Sequence, residues 1–174
     1  MKQSTNKITQ QNGYTMTNLE PHSEKDKLHR VDKKTRTPRP RRTPSQIQDD
    51  YWVSARARKN RVPFTERSGK WLVFVPLDEL DDAWAKIKKA TVAGLLGNSS
   101  KAATALPNPN AADPTKRVIC VYTYDSDDRE DVMRVRQALR DLGFDRPMPY
   151  KTDRATLEGR YQVNGHKRIS LYYE

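Results

Sequence analysis

The sequence predicts an α+β domain over residues 50–174, a mainly antiparallel sheet with two main helices on one face, behind a disordered basic tail over residues 1–49. Three observations carry that expectation. Large apolar side chains are almost absent before Asp50, whereas all three Trp, all three Phe and seven of the eight Tyr follow it. Beyond that point the apolar residues switch between a two-residue period, which fits strands, and a three-to-four-residue period, which fits helices. The resulting order is strand, helix, strand, helix, then mostly strands, and such an order packs most simply as helices covering one face of an antiparallel sheet.

In the tail, Gln, Ser, Thr and Asn surround a basic stretch, Lys25 to Arg42, which ends in Thr-Pro-Arg-Pro-Arg-Arg-Thr-Pro. So few apolar groups cannot offset the entropy of ordering the chain. Pro38, Pro40 and Pro44 favour extended geometry over helix. The first strand is expected at Tyr51-Trp52-Val53 and the second at Lys70 to Val75, ended by Pro76. Leu77, Leu80, Trp84, Ile87 and Thr91 then lie on one helical face. Acids at positions 78, 79, 81 and 82 begin that helix, Lys86, Lys88 and Lys89 follow, and Gly94 and Gly97 close it.

The stretch from Leu96 to Thr115 is the least readable, with an edge strand expected at Lys101 to Leu106. Arg117 to Tyr124 reads as a central strand. Asp127, with Glu130 three residues later, forms a capping signal for a second amphipathic helix through Val132, Val135, Leu139 and Leu142, stopped at Gly143. After Tyr150-Lys151-Thr152 a hairpin is expected around Asn164-Gly165. A turn longer than two residues would gather Tyr161, Val163, Ile169, Leu171 and Tyr173 on one face.

Composition narrows the classes of function. No run of about 18 apolar residues is present to span a bilayer, and the N-terminus lacks the apolar stretch of a secretory signal, so a soluble, cytoplasmic protein without membrane partners is expected. The single cysteine, Cys120, lies in an apolar run and reads as a small buried hydrophobe. The net charge of +11 suits polyanionic partners. It divides into +6 in residues 1–49, from 11 basic and 5 acidic residues, and +5 in the remainder. The basic tail can make salt-sensitive phosphate contacts or serve only to solubilise the chain.

No Gly-rich phosphate loop, nucleophile elbow or paired His/Cys zinc spacing occurs, and no cofactor or metal is expected. The carboxylates at 78–82 and 125–131 fall at helix starts, where capping explains them. His166 reads as an exposed turn residue. The candidate ligand residues are Lys101, Arg134, Lys151, Arg154 and Arg160, interleaved with Tyr122, Tyr124, Tyr150 and Tyr161, because cations beside aromatic rings suit phosphate contact and base stacking. The bland reading makes the same tyrosines half-buried strand residues and the same cations a solvated face. Trp84 belongs to the helix's apolar face, while Trp52, at the domain entrance, is placed to stack on a ligand.

Several segments together resemble one family. They are Gly69-Lys-Trp-Leu, Gly94-Leu-Leu-Gly, Lys101-Ala-Ala-Thr-Ala, Pro107-Asn-Pro-Asn, Val118-Ile-Cys-Val-Tyr-Thr-Tyr-Asp125, Asp131-Val-Met-Arg-Val-Arg136, Leu142-Gly-Phe144 and Pro149-Tyr-Lys-Thr-Asp153. Over residues 50–163, with the tail outside, the chain resembles the basophilic leukaemia-expressed protein family, small proteins often labelled phosphothreonine lyase domain proteins. The resemblance implies a fold similar to the cap-binding translation initiation factor 4E, a curved antiparallel sheet backed by helices. In that factor tryptophans sandwich a methylated base and basic residues hold the phosphates; Trp52 is the tryptophan nominated here. The lyase label implies elimination of phosphate from phosphothreonine, with Lys101 or Lys151 as base and His166 as acid.

The function expected from these readings is a non-enzymatic binding module for a phosphate-bearing ligand, RNA or a nucleotide. The alternatives are a phosphothreonine lyase-like enzyme acting on phosphorylated protein and an adaptor that binds a protein partner.

Overall fold

The computed structural model describes residues 42–59, 63–167 and 169–174. The first strand, β1 (Trp52–Arg56), is followed by β2 (Gly69–Pro76), helix α1 (Leu80–Ala93), β3 (Ser99–Ala103), β4 (Lys116–Thr123), helix α2 (Arg129–Asp141), β5 (Pro149–Thr152), the short helix α3 (Asp153–Leu157) and β6 (Tyr172–Tyr173). Among the described residues the strands make one six-stranded sheet in the order β1-β3-β4-β2-β5-β6, and every neighbouring pair is antiparallel. The α+β class and the antiparallel sheet backed by helices are as the sequence predicts.

The core lies between one face of the sheet and the two long helices. Trp71, Val73 and Val75 of β2, with Ile119 and Val121 of β4, meet Leu80, Trp84 and Ile87 of α1 and Val132, Val135 and Leu139 of α2 in one buried cluster. Tyr150 of β5 joins it, edge-on to Trp71, and its hydroxyl lies 2.6 Å from that of Thr123. Gly69 is required beside it, because a Cβ at that position would meet the Tyr150 hydroxyl at 2.2 Å. Cys120 is buried, as expected.

One charged side chain enters this core at no exposure. Arg136 of α2 donates to the carbonyls of Phe144, Asp145, Arg146 and Glu174, so its guanidinium is fully engaged by backbone acceptors that also hold the loop before β5. Burial pulls its pKa below the usual arginine value.

Four local expectations are corrected. The strand expected at the sheet edge, Lys101 to Leu106, is β3, which starts at Ser99 and lies inside the sheet between β1 and β4. The cap of α2 is Asp128, whose side chain accepts from the Asp131 N–H at 3.0 Å, one residue later than Asp127. Helix α1 starts at Leu80, after a turn at Leu77–Glu79, and closes at Gly94 with φ 81°. Among the described residues no hairpin forms at Asn164-Gly165: Gln162–Asn164 form a 3-10 turn ended by Gly165 at φ 81°, and β6 pairs with β5 instead.

The residues expected as the hairpin's first strand are taken up by that turn: the Tyr161 carbonyl accepts from the Asn164 N–H at 3.0 Å and the His166 N–H at 3.4 Å. Upstream, β5 runs directly into α3, which the Thr152 hydroxyl caps by accepting from the Ala155 N–H. The apolar set expected on one hairpin face is accordingly not buried: Val163, Leu171 and Tyr173 are 50%, 44% and 68% exposed. Arg168 and residues 1–41, which include most of the expected tail, lie outside the described residues.

The described part of that tail, residues 42–49, is packed. Pro44 and Ile47 are buried, the Pro44 carbonyl accepts from the Ala105 N–H at 3.1 Å, and Ser45 donates its N–H and hydroxyl to Asp81 at 3.0 and 2.6 Å.

Candidate anion-binding face

Strand geometry sends alternate side chains to opposite faces, so each strand that builds the core also builds a second surface away from α1 and α2. On β2 that surface carries Lys70, Leu72 and Phe74. Pairing then decides its composition: Lys70 lies opposite Tyr122 on one side and Lys151 on the other, while Lys101 lies opposite Cys120 and Ser54. Three lysines from β3, β2 and β5 are thereby brought to one face, with the Tyr122 ring among them.

The contacts of the three amines differ. Lys101 Nζ sits 4.0 Å from the Trp52 ring centre and 5.8 Å from that of Tyr122, and it makes no ion pair among the described residues. Lys151 is 3% exposed; its Nζ lies 3.8 Å from the Tyr161 ring centre and donates to the Arg160 carbonyl. Lys70 is the paired member, bound to the Asp153 carboxylate and donating to the Thr156 hydroxyl at 3.0 Å, with its Nζ 5.3 Å from the Tyr122 ring centre. Phe64 meets Tyr122 edge-on at 5.4 Å. An open depression of about 690 Å³ lies over the part of this arrangement around Lys70, Lys101 and Tyr122, lined also by Phe64, Glu66 and Asp153; Lys151 and Tyr161 lie outside its lining.

Electrostatics sort these groups by chemical role. Burial, followed by the charge of Lys70, pulls the Lys151 amine down to about 8. Burial likewise pushes the Tyr122 hydroxyl far above its ordinary value, so it stays protonated. The Cys120 thiol is raised for the same reason, which keeps it from acting as a thiolate nucleophile. What remains are two ammonium groups, Lys101 and Lys151, that have rings and a carbonyl for company and, among the described residues, no ion pair, while Glu66 and Asp153 also line the depression. A cation over an aromatic face is attracted by the ring quadrupole yet keeps its full charge for an incoming anion.

Of the residues nominated from the sequence, Trp52, Lys101, Tyr122, Lys151 and Tyr161 belong to this face. The others do not. Arg134, on α2, binds Asp131 at 2.7 Å and the Leu95 carbonyl at 3.1 Å in the helical layer, where it lines a separate depression of about 550 Å³ with Leu96 and Leu142. The Tyr124 hydroxyl donates to Asp128 beside the start of α2, and that bond pushes its pKa up to about 12. Arg160 pairs with Glu158 at 2.7 Å, Arg154 lies 3.9 Å from the same carboxylate, and Tyr150 is core. His166 is exposed in the turn after residues 162–164 and its backbone N–H donates to the Tyr161 carbonyl. Sequence reasoning missed Lys70 and Phe64. The two-residue period already set Lys70 opposite to Trp71, but its meeting with Tyr122 and Lys151 depends on pairing between strands far apart in the chain.

Fold and site together define an α+β protein with a lysine and aromatic face on the side of its sheet away from α1 and α2, bordered by α3. The family model of Basophilic leukemia-expressed protein Bles03 matches residues 2–157, and the chain belongs to that family. The match begins at residue 2 and so takes in the N-terminal segment, which was expected to lie outside the resemblance. Among solved structures the chain is similar to Ascaris suum eIF4E-3 in complex with an m2,2,7G cap, at 18% identity and a TM-score of 0.40. That likeness spans about half of each molecule, 49% of this chain and 51% of the other. Among the described residues no helix is long and apolar enough to cross a membrane.

Proposed function

We propose that the protein is a non-enzymatic binding module for a phosphate-bearing ligand, RNA or a nucleotide, which it holds on the open face of the sheet. The observation that carries this reading is the pair Lys101 and Lys151, two cations without a carboxylate partner on either side of Tyr122. A ligand spanning the three strand spacings from β3 to β5, about 14 Å, would gain charge-assisted hydrogen bonds from both. It would also relieve the repulsion between Lys151 and Lys70 that helps to hold the Lys151 amine down near 8. Trp52, Tyr122 and Phe64 supply apolar surface for a base. The basic N-terminal segment adds affinity that does not depend on sequence.

The test is a titration of the full-length chain with a nucleoside triphosphate and with a short single-stranded RNA, followed by tryptophan fluorescence at low and high salt. Lys101→Ala is expected to weaken both ligands about tenfold or more, as loss of a charge-assisted contact should. Unchanged affinity in that variant contradicts the assignment.

One observation favours a second reading, a phosphothreonine lyase-like activity. An amine with a pKa of about 8 is partly neutral at neutral pH and can take a proton from carbon, so Lys151 suits the role of base. Release of inorganic phosphate from a phosphothreonine peptide, lost in Lys151→Met, would establish that reading over simple binding.

A further inference from the structure

The Thr43-Pro44 pair at the end of the basic stretch plays no part in the sheet face, yet it opens the strap that packs on the start of α1. The sequence contains two Thr-Pro pairs, Thr37-Pro38 and Thr43-Pro44, and the second begins the packed strap of residues 42–47. We infer that Thr43 is a phosphorylation site for a proline-directed protein kinase, and that its modification detaches this strap from the start of α1.

Both halves of the inference rest on local geometry. Proline after a hydroxyl residue disfavours the helical region for that residue and holds the pair extended; Thr43 is extended, with φ −77° and ψ 160°. Arg39, Arg41 and Arg42 lie immediately upstream. The strap is held by little: two buried side chains, Pro44 and Ile47, the bond from Ala105 to the Pro44 carbonyl, the two bonds from Ser45 to Asp81, and the interaction of the Thr43 hydroxyl with the same carboxylate. A segment with so few contacts opens locally at low cost, and opening is what exposes the buried Pro44 to a kinase.

The chemistry at Thr43 is phosphoryl transfer from ATP. The Oγ–P bond forms as the bond from the γ-phosphorus to the β–γ bridging oxygen breaks, the hydroxyl proton passes to the kinase's base, and ADP leaves. The product cannot dock as before. The Thr43 hydroxyl lies 3.4 Å from that of Ser45, which is itself bound to Asp81. A phosphate there adds roughly 1.5 to 2 negative charges beside a carboxylate, and phosphates next to Asp or Glu disrupt by repulsion. Two features oppose this. The α1 N-terminus offers about half a positive charge, but Asp81 and Asp82 in its first turn already answer it. Arg42, now paired with Asp49 at 3.0 Å, can turn to the phosphate, and that exchange costs the strap another contact.

The experiment treats the full-length protein with a proline-directed kinase and ATP, locates the phosphate by mass spectrometry, and follows amide hydrogen exchange at Ser45 and Ala105. The expected result is phosphate on Thr43 and exchange at both amides faster by roughly tenfold or more, equivalent to about 1.4 kcal/mol of docking free energy. In Asp81→Asn, which removes the repelling charge, phosphorylation should accelerate exchange less. Phosphate confined to Thr37, or phosphate on Thr43 with exchange unchanged at Ala105, would overturn the inference.

Discussion

The two faces of the sheet are made by the same strands and obey opposite rules. On the helix side, Trp71, Val73, Val75, Ile119, Val121 and Tyr150 interlock with α1 and α2, and each polar group there is satisfied inside the protein: the Trp71 indole donates to the Val132 carbonyl at 3.0 Å, and Arg136 spends its guanidinium on backbone carbonyls. On the other side, Lys70, Lys101 and Lys151 alternate with those core residues, and among the described residues only Lys70 of the three is paired with a carboxylate. The difference teaches that the helix side is arranged for stability and that the lysine side holds charge in excess of what folding needs. Charge gathered on a partly desolvated surface without a counter-charge raises the energy of the folded state, and binding an anion returns that energy.

The comparison can be broken or sharpened by substitutions, taken from the largest effect to the smallest. Trp71→Ala should cost about 3–5 kcal/mol in urea unfolding, because it empties a fully buried site beside Tyr150. Asp153→Asn leaves Lys70 without its ion pair; a loss of about 1–3 kcal/mol of stability is expected together with tighter binding of a phosphate probe, since a third cation becomes available. Lys101→Ala should change stability by less than about 1 kcal/mol, since it removes ring contacts with Trp52 and Tyr122 and no ion pair, while it weakens the probe about tenfold. If Lys101→Ala instead destabilises as Trp71→Ala does, the division between the faces fails.

A smaller effect lies in pH dependence. Lys151 in the folded protein loses its proton near pH 8, whereas in the unfolded chain it keeps it to about 10.5. Between those values the unfolded chain binds more protons, so this group's contribution to stability rises with pH, is complete above 10.5 and is lost as pH falls through 8. The difference between wild type and Lys151→Met, measured by denaturant unfolding from pH 7 to 10, should therefore rise with pH. Probe affinity should move the other way and fall above pH 8 as the amine discharges.

Much of the core side was legible in the sequence. The alternation in Lys70 to Val75 and the spacing of Leu80, Trp84 and Ile87 are local signals, and burial of the apolar members follows from them directly. Part of the lysine side was not. Lys101, Tyr122 and Lys151 could be nominated by residue type, but Lys70 joins them only through strand pairs separated by about 50 to 80 residues, and Arg134 and Tyr124 were nominated with them although α2 holds both elsewhere. The hairpin at Asn164-Gly165 failed for a related reason. Its turn signal was sound, since Gly165 does adopt a positive φ, but the pairing partner of Tyr172 proved to be β5.

The central claim, that the open face holds a phosphate-bearing ligand through Lys101 and Lys151, is tested most directly by an NMR titration of the full-length chain with a nucleoside triphosphate, read at the backbone amides of β3, β4 and β5 and at the lysine side chains. The account predicts saturable shifts centred on Lys101, Tyr122 and Lys151, absent in the Lys101→Ala, Lys151→Met double variant. Shifts confined to the N-terminal basic segment, with the sheet unmoved, would contradict it.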